Sequence, residues 1–203
     1  MPRIRAENIE AHKELTRSDI LVAAYDLLEE MGSADISLAE VAHQVGIGRT
    51  TLYEYFRDRD DLIASLVEER LPEIEEEIIG SMPADLSPDE RVARLAKATV
   101  HFVVEDRVLG LILHRELPRL SGDAQLRVRT SHESLAAEMV VAFRDGVAAG
   151  IFKPMAPDIA GRLIHDVIMS AARVVISAND PPARFSEVSE AMVTFLLGGL
   201  RNR

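Results

Sequence analysis

The chain has 203 residues, 23 Lys/Arg against 34 Asp/Glu, a formal net charge of −11, and no Cys. The absence of thiols excludes disulfides, thiolate metal ligands and cysteine nucleophiles. No apolar run reaches the roughly twenty residues that a membrane helix needs, and Met1 to Lys13 is too polar for a secretory leader, so a cytoplasmic protein is expected.

Apolar residues recur at helical spacing, and no stretch joins strand alternation to hairpin turn residues; an all-α chain of about nine helices is predicted. The first helix spans about Arg17–Met31, with Ile20, Ala23, Ala24, Leu27, Leu28 and Met31 on one stripe and Gly32 suited to its left-handed end. The second begins on Ser37, with Glu40 at the spacing of a capping box and Ile36 placed to staple against Val41. It ends near Val45, where Gly46 breaks it, and a third helix over Arg49–Phe56 follows at once. Asp58, Asp60 and Asp61 favour the positive start of a fourth, which runs to about Ile79 with a kink expected at Pro72.

Residues 80–86 read as the main linker, after which Ser87, Pro88 and Glu90 restart the helical pattern. Helices five and six are placed at Pro88–Asp106 and Arg107–Leu117, and helix seven at Asp123–Ala149, stopping at Gly150. Helix eight covers Pro157–Ala178 and is closed by Asn179, Asp180, Pro181 and Pro182; helix nine covers Ser186–Leu200.

Helices two and three, joined by Gly46-Ile47-Gly48, have the spacing of a helix-turn-helix. Ala42 is small where the helices cross, and Gly46 supplies a positive φ. The second helix of such a pair enters the DNA major groove. At roughly 100° per residue, Leu52 and Phe56 share the inward face while Thr50 and Glu54 point outward, flanked by Thr51 and Tyr53, with Arg49 at the start. Hydroxyls reach phosphates, and an arginine can bond guanine bidentately. An ordinary αα-corner with a solvated polar face is the bland alternative. The charge argues against DNA, since residues 1–70 hold 8 Lys/Arg and 15 Asp/Glu, a net of −7.

Ile20 to Leu62 as a block resembles the TetR (tetracycline-repressor-like) family of bacterial regulators. The carrying residues are Ala23-Ala24, Gly32, Ile36-Ser37-Leu38, Val41-Ala42, Val45-Gly46-Ile47, Thr51-Leu52-Tyr53-Glu54-Tyr55-Phe56, Arg59 and Leu62. The resemblance implies an all-α homodimer with a three-helix DNA-binding head over residues 1–62, a bridging fourth helix at about 59–79, and a C-terminal effector-binding and dimerisation domain over 80–203. Carried over by position, Arg49, Thr50 and Thr51 approach bases or nearby phosphates, Tyr53, Tyr55 and Arg59 grip the backbone, and the Ser37 cap sits beside it. Ala39, Gly48 and Glu54 depart from the family's usual residues; Glu54 could accept from a cytosine amino group.

Gly146 to Ile159 also resembles the family's junction between its seventh and eighth helices. A dimer bundle is then expected from Ile164, Ile168, Ala171, Ala172 and Val175 with Val188, Met192, Phe195 and Leu196, although intramolecular core explains some of these equally well. An effector pocket is expected from His101, Phe102, Leu109, Leu113, Met139, Phe143, Ile168 and Met169, with Glu116, His165 and Arg173 as polar anchors; a lipophilic effector would suit it.

His114, His132 and His165 sit on different predicted helices without paired ligand spacing, and no phosphate loop or nucleophile motif occurs. The expectation is a transcription regulator, a repressor by family precedent, with no cofactor, no metal, no membrane partner and no catalysis. The alternatives are an activator, or a ligand-binding helical protein whose DNA head has degenerated.

Overall fold

The computed structural model describes residues 2–32, 35–131 and 133–202, and side chains from Ile9 onward. His132 lies outside the described residues. The described chain is all α, apart from one isolated antiparallel bridge between Phe152 and Arg201. Its helices are α1 (Pro2–Met31), α2 (Leu38–Val45), α3 (Arg49–Leu52), α4 (Arg59–Gly80), α5 (Pro88–Glu105), α6 (Arg107–Leu111), α7 (Gly122–Thr130), α8 (Glu133–Ala148), α9 (Pro157–Ile176) and α10 (Pro181–Leu200).

Two compact units form. One comprises Met1–Glu69 with Leu111–Val128, the other Arg70–Gly110 with Arg129–Arg203. Residues 111–128, assigned from sequence to the C-terminal domain, thus cluster with the N-terminal head. Apolar burial and ion pairs both hold them there: Ile112, Leu120, Ala124 and Val128 are buried. Arg127 on α7 donates from Nε to Glu68 Oε1 and from Nη2 to Ser65 Oγ, both at 2.8 Å, and its Nη1 bonds Asp61 Oδ1 on the same α4 face. Glu116, only 5% exposed, accepts from Arg59 Nη2 at 3.1 Å.

In the first unit α1 packs on α2 and α2 on α3, burying Ile20, Ala24, Leu28, Val41, Ala42, Leu52 and Phe56. Ile36 and Val41 are both buried, as the staple requires. α1 is longer than its sequence stripe, because the polar segment before Arg17 continues the helix. In the second unit α5 is the hub, packed against α8, α9 and α10. A Cβ on Gly110 would lie 2.3 Å from the Val103 carbonyl oxygen, so glycine is required where α6 returns beside α5.

Besides α1, four predicted helices differ in their ends. Helix three stops at Leu52 and closes in turns through Tyr55. Helix six becomes a π turn over Ile112–Glu116 and a 3₁₀ turn over Leu117–Arg119, because Pro118 has no N–H for the His114 carbonyl and its ring crowds that turn. Helix seven is two helices, α7 and α8; the buried Glu75 carboxylate of α4 accepts from Leu135 N at 3.1 Å and serves the α8 N-terminus. Pro181 and Pro182 open α10 rather than closing α9: Asp180 accepts from Ala183 N at 3.1 Å, and proline is tolerated in a first turn. α4 passes through Pro72 without ending.

Candidate nucleic-acid interface and effector cavity

The head is built from local signals. Ser37 Oγ accepts from Glu40 N at 3.2 Å while Glu40 Oε2 accepts from Ser37 N at 2.8 Å, closing the capping box. The Ser37 hydroxyl bond lowers the Glu40 pKa below the usual carboxylate range. Gly46, at φ 76°, turns the chain, and its N–H bonds the His43 carbonyl at 3.1 Å. α3 then begins at Arg49 with Leu52 pointing inward and fully buried. Its other face carries Arg49 and Thr50, both exposed, with Thr51 half-buried; Tyr53 and Glu54 in the following turn are exposed and Tyr55 is half-buried. Arg49 Nη2 donates to Tyr53 Oη at 3.2 Å, and its guanidinium stands over that ring, 5.7 Å from the centroid. This pair is pre-positioned on the exposed face.

The Arg59 guanidinium is bonded to Glu116 at 3.1 Å and Asp60 at 3.4 Å, an ion pair inside the first unit. The neighbouring Arg57 pairs with Asp58 and Asp123. Burial opposes ionisation of Asp61, but hydrogen bonds from Arg57 N and the Arg127 guanidinium outweigh it, and its carboxyl lies below the ordinary range.

In the second unit a cavity of about 160 Å³ lies between α5, α8 and α9. Four of the anticipated pocket residues line it: Met139, His165, Ile168 and Met169. Thr99, Leu135, Ala136, Val140, Gly161 and Ile164 complete the wall. The remaining anticipated residues lie elsewhere. His101 is exposed and tilts against Phe185, with ring centroids 5.3 Å apart. Phe102 and Leu109 are core. Phe143 stacks on Phe152 at 5.9 Å, a contact for which Gly146 leaves the room. Leu113 and Glu116 belong to the first unit, and Arg173 is exposed on α9. Of the other wall residues, Thr99, Ala136 and Gly161 are small and carry no pocket signal in the sequence, and Leu135, Val140 and Ile164 are apolar at helical spacing, alike whether they face core or cavity.

Most of the expected dimer stripe is buried within the single chain. Ile164, Ile168, Ala171, Ala172 and Val175 are buried within the chain, as are Met192 and Leu196, and Val188 is half-buried. They lie on α9 and α10, which pack on each other and on the α5 hub. Of the nine, Phe195 alone is exposed, at 70%. The solvent side of α9 carries Ile159, Leu163 and Val174 instead, each about half exposed. Among the described residues no three His, Cys, Asp or Glu side chains gather as metal ligands, and no helix is long and apolar enough to cross a membrane.

Two family models match the chain: "Bacterial regulatory proteins, tetR family" over residues 20–66 and "Tetracyclin repressor-like, C-terminal domain" over residues 85–173. The chain belongs to the TetR family. An uncharacterised HTH-type transcriptional regulator of Mycobacterium tuberculosis is 27% identical over 186 residues, covering 89% of this chain and 94% of that protein. Among solved structures, FadR of Bacillus subtilis with stearoyl-CoA superimposes with a TM-score of 0.76 at 18% identity, covering 90% of this chain and 98% of FadR. RolR with resorcinol gives 0.65 at 22% identity, covering 92% and 89%. This TetR-family chain is therefore a DNA-binding transcription regulator with a helix-turn-helix, not an enzyme.

Proposed function

We propose that the protein is a cytoplasmic homodimeric repressor that reads a near-palindromic operator and is released by a small lipophilic effector. The observation that carries this reading is the face of α3 and its following turn, where Arg49, Thr50, Tyr53 and Glu54 stand exposed while Leu52 anchors the helix beneath them. In this reading residues 1–62 bind DNA, and residues 80–203 bind effector and form the dimer. Arg49 addresses a base edge; Thr50, Thr51, Tyr53 and Tyr55 address phosphates or bases beside the Ser37 cap; Glu54 meets a cytosine amino group. The exposed Ile159, Leu163, Val174 and Phe195 on α9 and α10 supply the apolar patch for a twofold partner. Two recognition helices then lie about 34–36 Å apart, one turn of DNA or a multiple of it.

The effector site is the apolar cavity between α5, α8 and α9. By linkage, an effector there releases DNA only if it favours a conformation that binds operator poorly, and saturating operator weakens the effector by the same factor. A second reading is favoured by one observation. The head is acidic, and Arg57 and Arg59 are held in ion pairs, which leaves little positive charge for phosphates. Selection of bound sequences from a random DNA pool decides. Recovery of a palindrome with half-sites one turn apart supports the operator-binding dimer. Recovery of nothing at low salt identifies a ligand-binding protein with a degenerate head. Operator placed before a reporter gene distinguishes repression from activation.

A further inference from the structure

We infer that the cavity between α5, α8 and α9 accepts one compact, uncharged group carrying a hydroxyl or N–H, such as a single-ring phenol, and excludes carboxylates and long acyl chains. The inference rests on the reading of this cavity as the effector site.

Size decides the first part. The volume is about 160 Å³. Pockets for drug-sized ligands run from about 300 to 1,000 Å³, whereas an apolar cavity of about 150 Å³ takes up benzene. One ring, or an alkyl chain of similar bulk, fills this space. A long acyl group does not enter without displacing the wall, and that wall includes the core residues Leu135, Ile164 and Ile168, each at most 4% exposed.

Chemistry decides the second part. Among the described residues no lysine or arginine lines the cavity and His165 stands exposed at its edge, so an ionised carboxylate carried into the apolar interior would be desolvated without a cationic partner. The buried polar side chain on the wall is Thr99, 4% exposed. Its hydroxyl donates to the Leu95 carbonyl at 2.8 Å. A hydroxyl has one proton to give, so Thr99 faces a ligand only as an acceptor. A ligand donor is satisfied there, and a ligand acceptor is not. Ala136 and His165 are the exposed residues of the wall, and the donor group of the ligand is held inside, at Thr99, rather than at that edge.

Met139 and Met169 lie on the wall, so their methyl groups report occupancy by NMR in the full-length protein. The probes are phenol, toluene, hexanoate and stearoyl-CoA. Phenol is expected to move both methyl resonances and to bind roughly three- to tenfold tighter than toluene, the worth of one hydrogen bond. Hexanoate and stearoyl-CoA are expected to leave both resonances in place. Thr99→Val should bring phenol down to the affinity of toluene. A Cβ on Gly161 would sit 3.7 Å from Val140 Cγ2, an ordinary contact, so Gly161→Ala should fold normally and weaken phenol at least twofold. Gly161→Leu should abolish the shifts.

The inference is overturned if stearoyl-CoA or hexanoate moves both methyl resonances, or if phenol leaves them still at millimolar concentration. Undiminished phenol binding in folded Gly161→Ala, or in Thr99→Val, overturns it as well. Operator binding is measured on the same samples. Phenol binding without DNA binding defeats the regulator reading and leaves the cavity assignment standing; DNA binding without phenol does the reverse.

Discussion

Replacing Arg127 with Met removes one charge from the centre of the first unit and keeps most of the hydrocarbon stem. The guanidinium bonds Glu68 through two nitrogens, Asp61 and Ser65, and the side chain is 28% exposed, against 19% for Asp61 and 34% for Glu68. A hydrogen bond to a charged partner contributes about 1.5–3 kcal/mol where water is excluded, and exposed ion pairs about 0–1 kcal/mol. The Glu68 contacts belong near the lower figure and the Asp61 contact between the two, which gives about 2–3 kcal/mol for the network. For a chain of this length that lowers Tm by roughly 5–10 °C. The pH dependence carries a sign. The folded-state pKa of Asp61 is lowered, so its contribution is complete above its unfolded pKa and disappears as pH falls through the folded value. The gap between wild type and Arg127→Met should therefore be widest near pH 7 and shrink below about pH 4, where carboxylates protonate. Urea unfolding followed by circular dichroism at several pH values measures it. A gap under about 0.5 kcal/mol at pH 7, or one that stays constant down to pH 3, refutes the reasoning.

Arg59→Ala should cost about 1–3 kcal/mol of stability, because it strips a partner from buried Glu116, and should leave the salt slope of DNA binding unchanged. A slope reduced by about one unit with stability intact would restore Arg59 as a phosphate grip. Arg49→Ala should instead flatten preference at particular base positions in a binding selection. Gly146→Ala should destabilise by about 1–3 kcal/mol, since the new methyl would meet the Phe152 ring at 2.1 Å; wild-type stability would mean that ring has room to move. Phe195→Glu should give monomers by sedimentation with an unchanged helical spectrum, and a persistent dimer would move the interface off this face. Glu54→Gln should raise affinity for random DNA more than for operator if Glu54 reads a cytosine; equal gains would make it a bystander.

The DNA-binding head was legible in the sequence because every signal for it is local. Ser37 and Glu40 are three residues apart and close on each other, and Gly46 takes its positive φ where the helical pattern breaks. The buried and exposed sides of α3 follow from helical periodicity alone, as does the all-α class. Tertiary structure decided what a side chain meets across tens of residues. The break between α7 and α8 has no glycine or proline to mark it; α8 starts where Glu75, sixty residues earlier, receives the Leu135 N–H. The stripe from Ile164 to Val175 is equally apolar whether it faces a second copy or its own chain, and only packing showed that it is buried within the chain. Arg59 has the charge for a phosphate, and only the fold brings Glu116, fifty-seven residues away, to pair with it. Periodicity and caps depend on neighbours along the chain, so sequence carries them; the choice among chemically equivalent partners depends on where the backbone brings distant residues, and that is set by the fold.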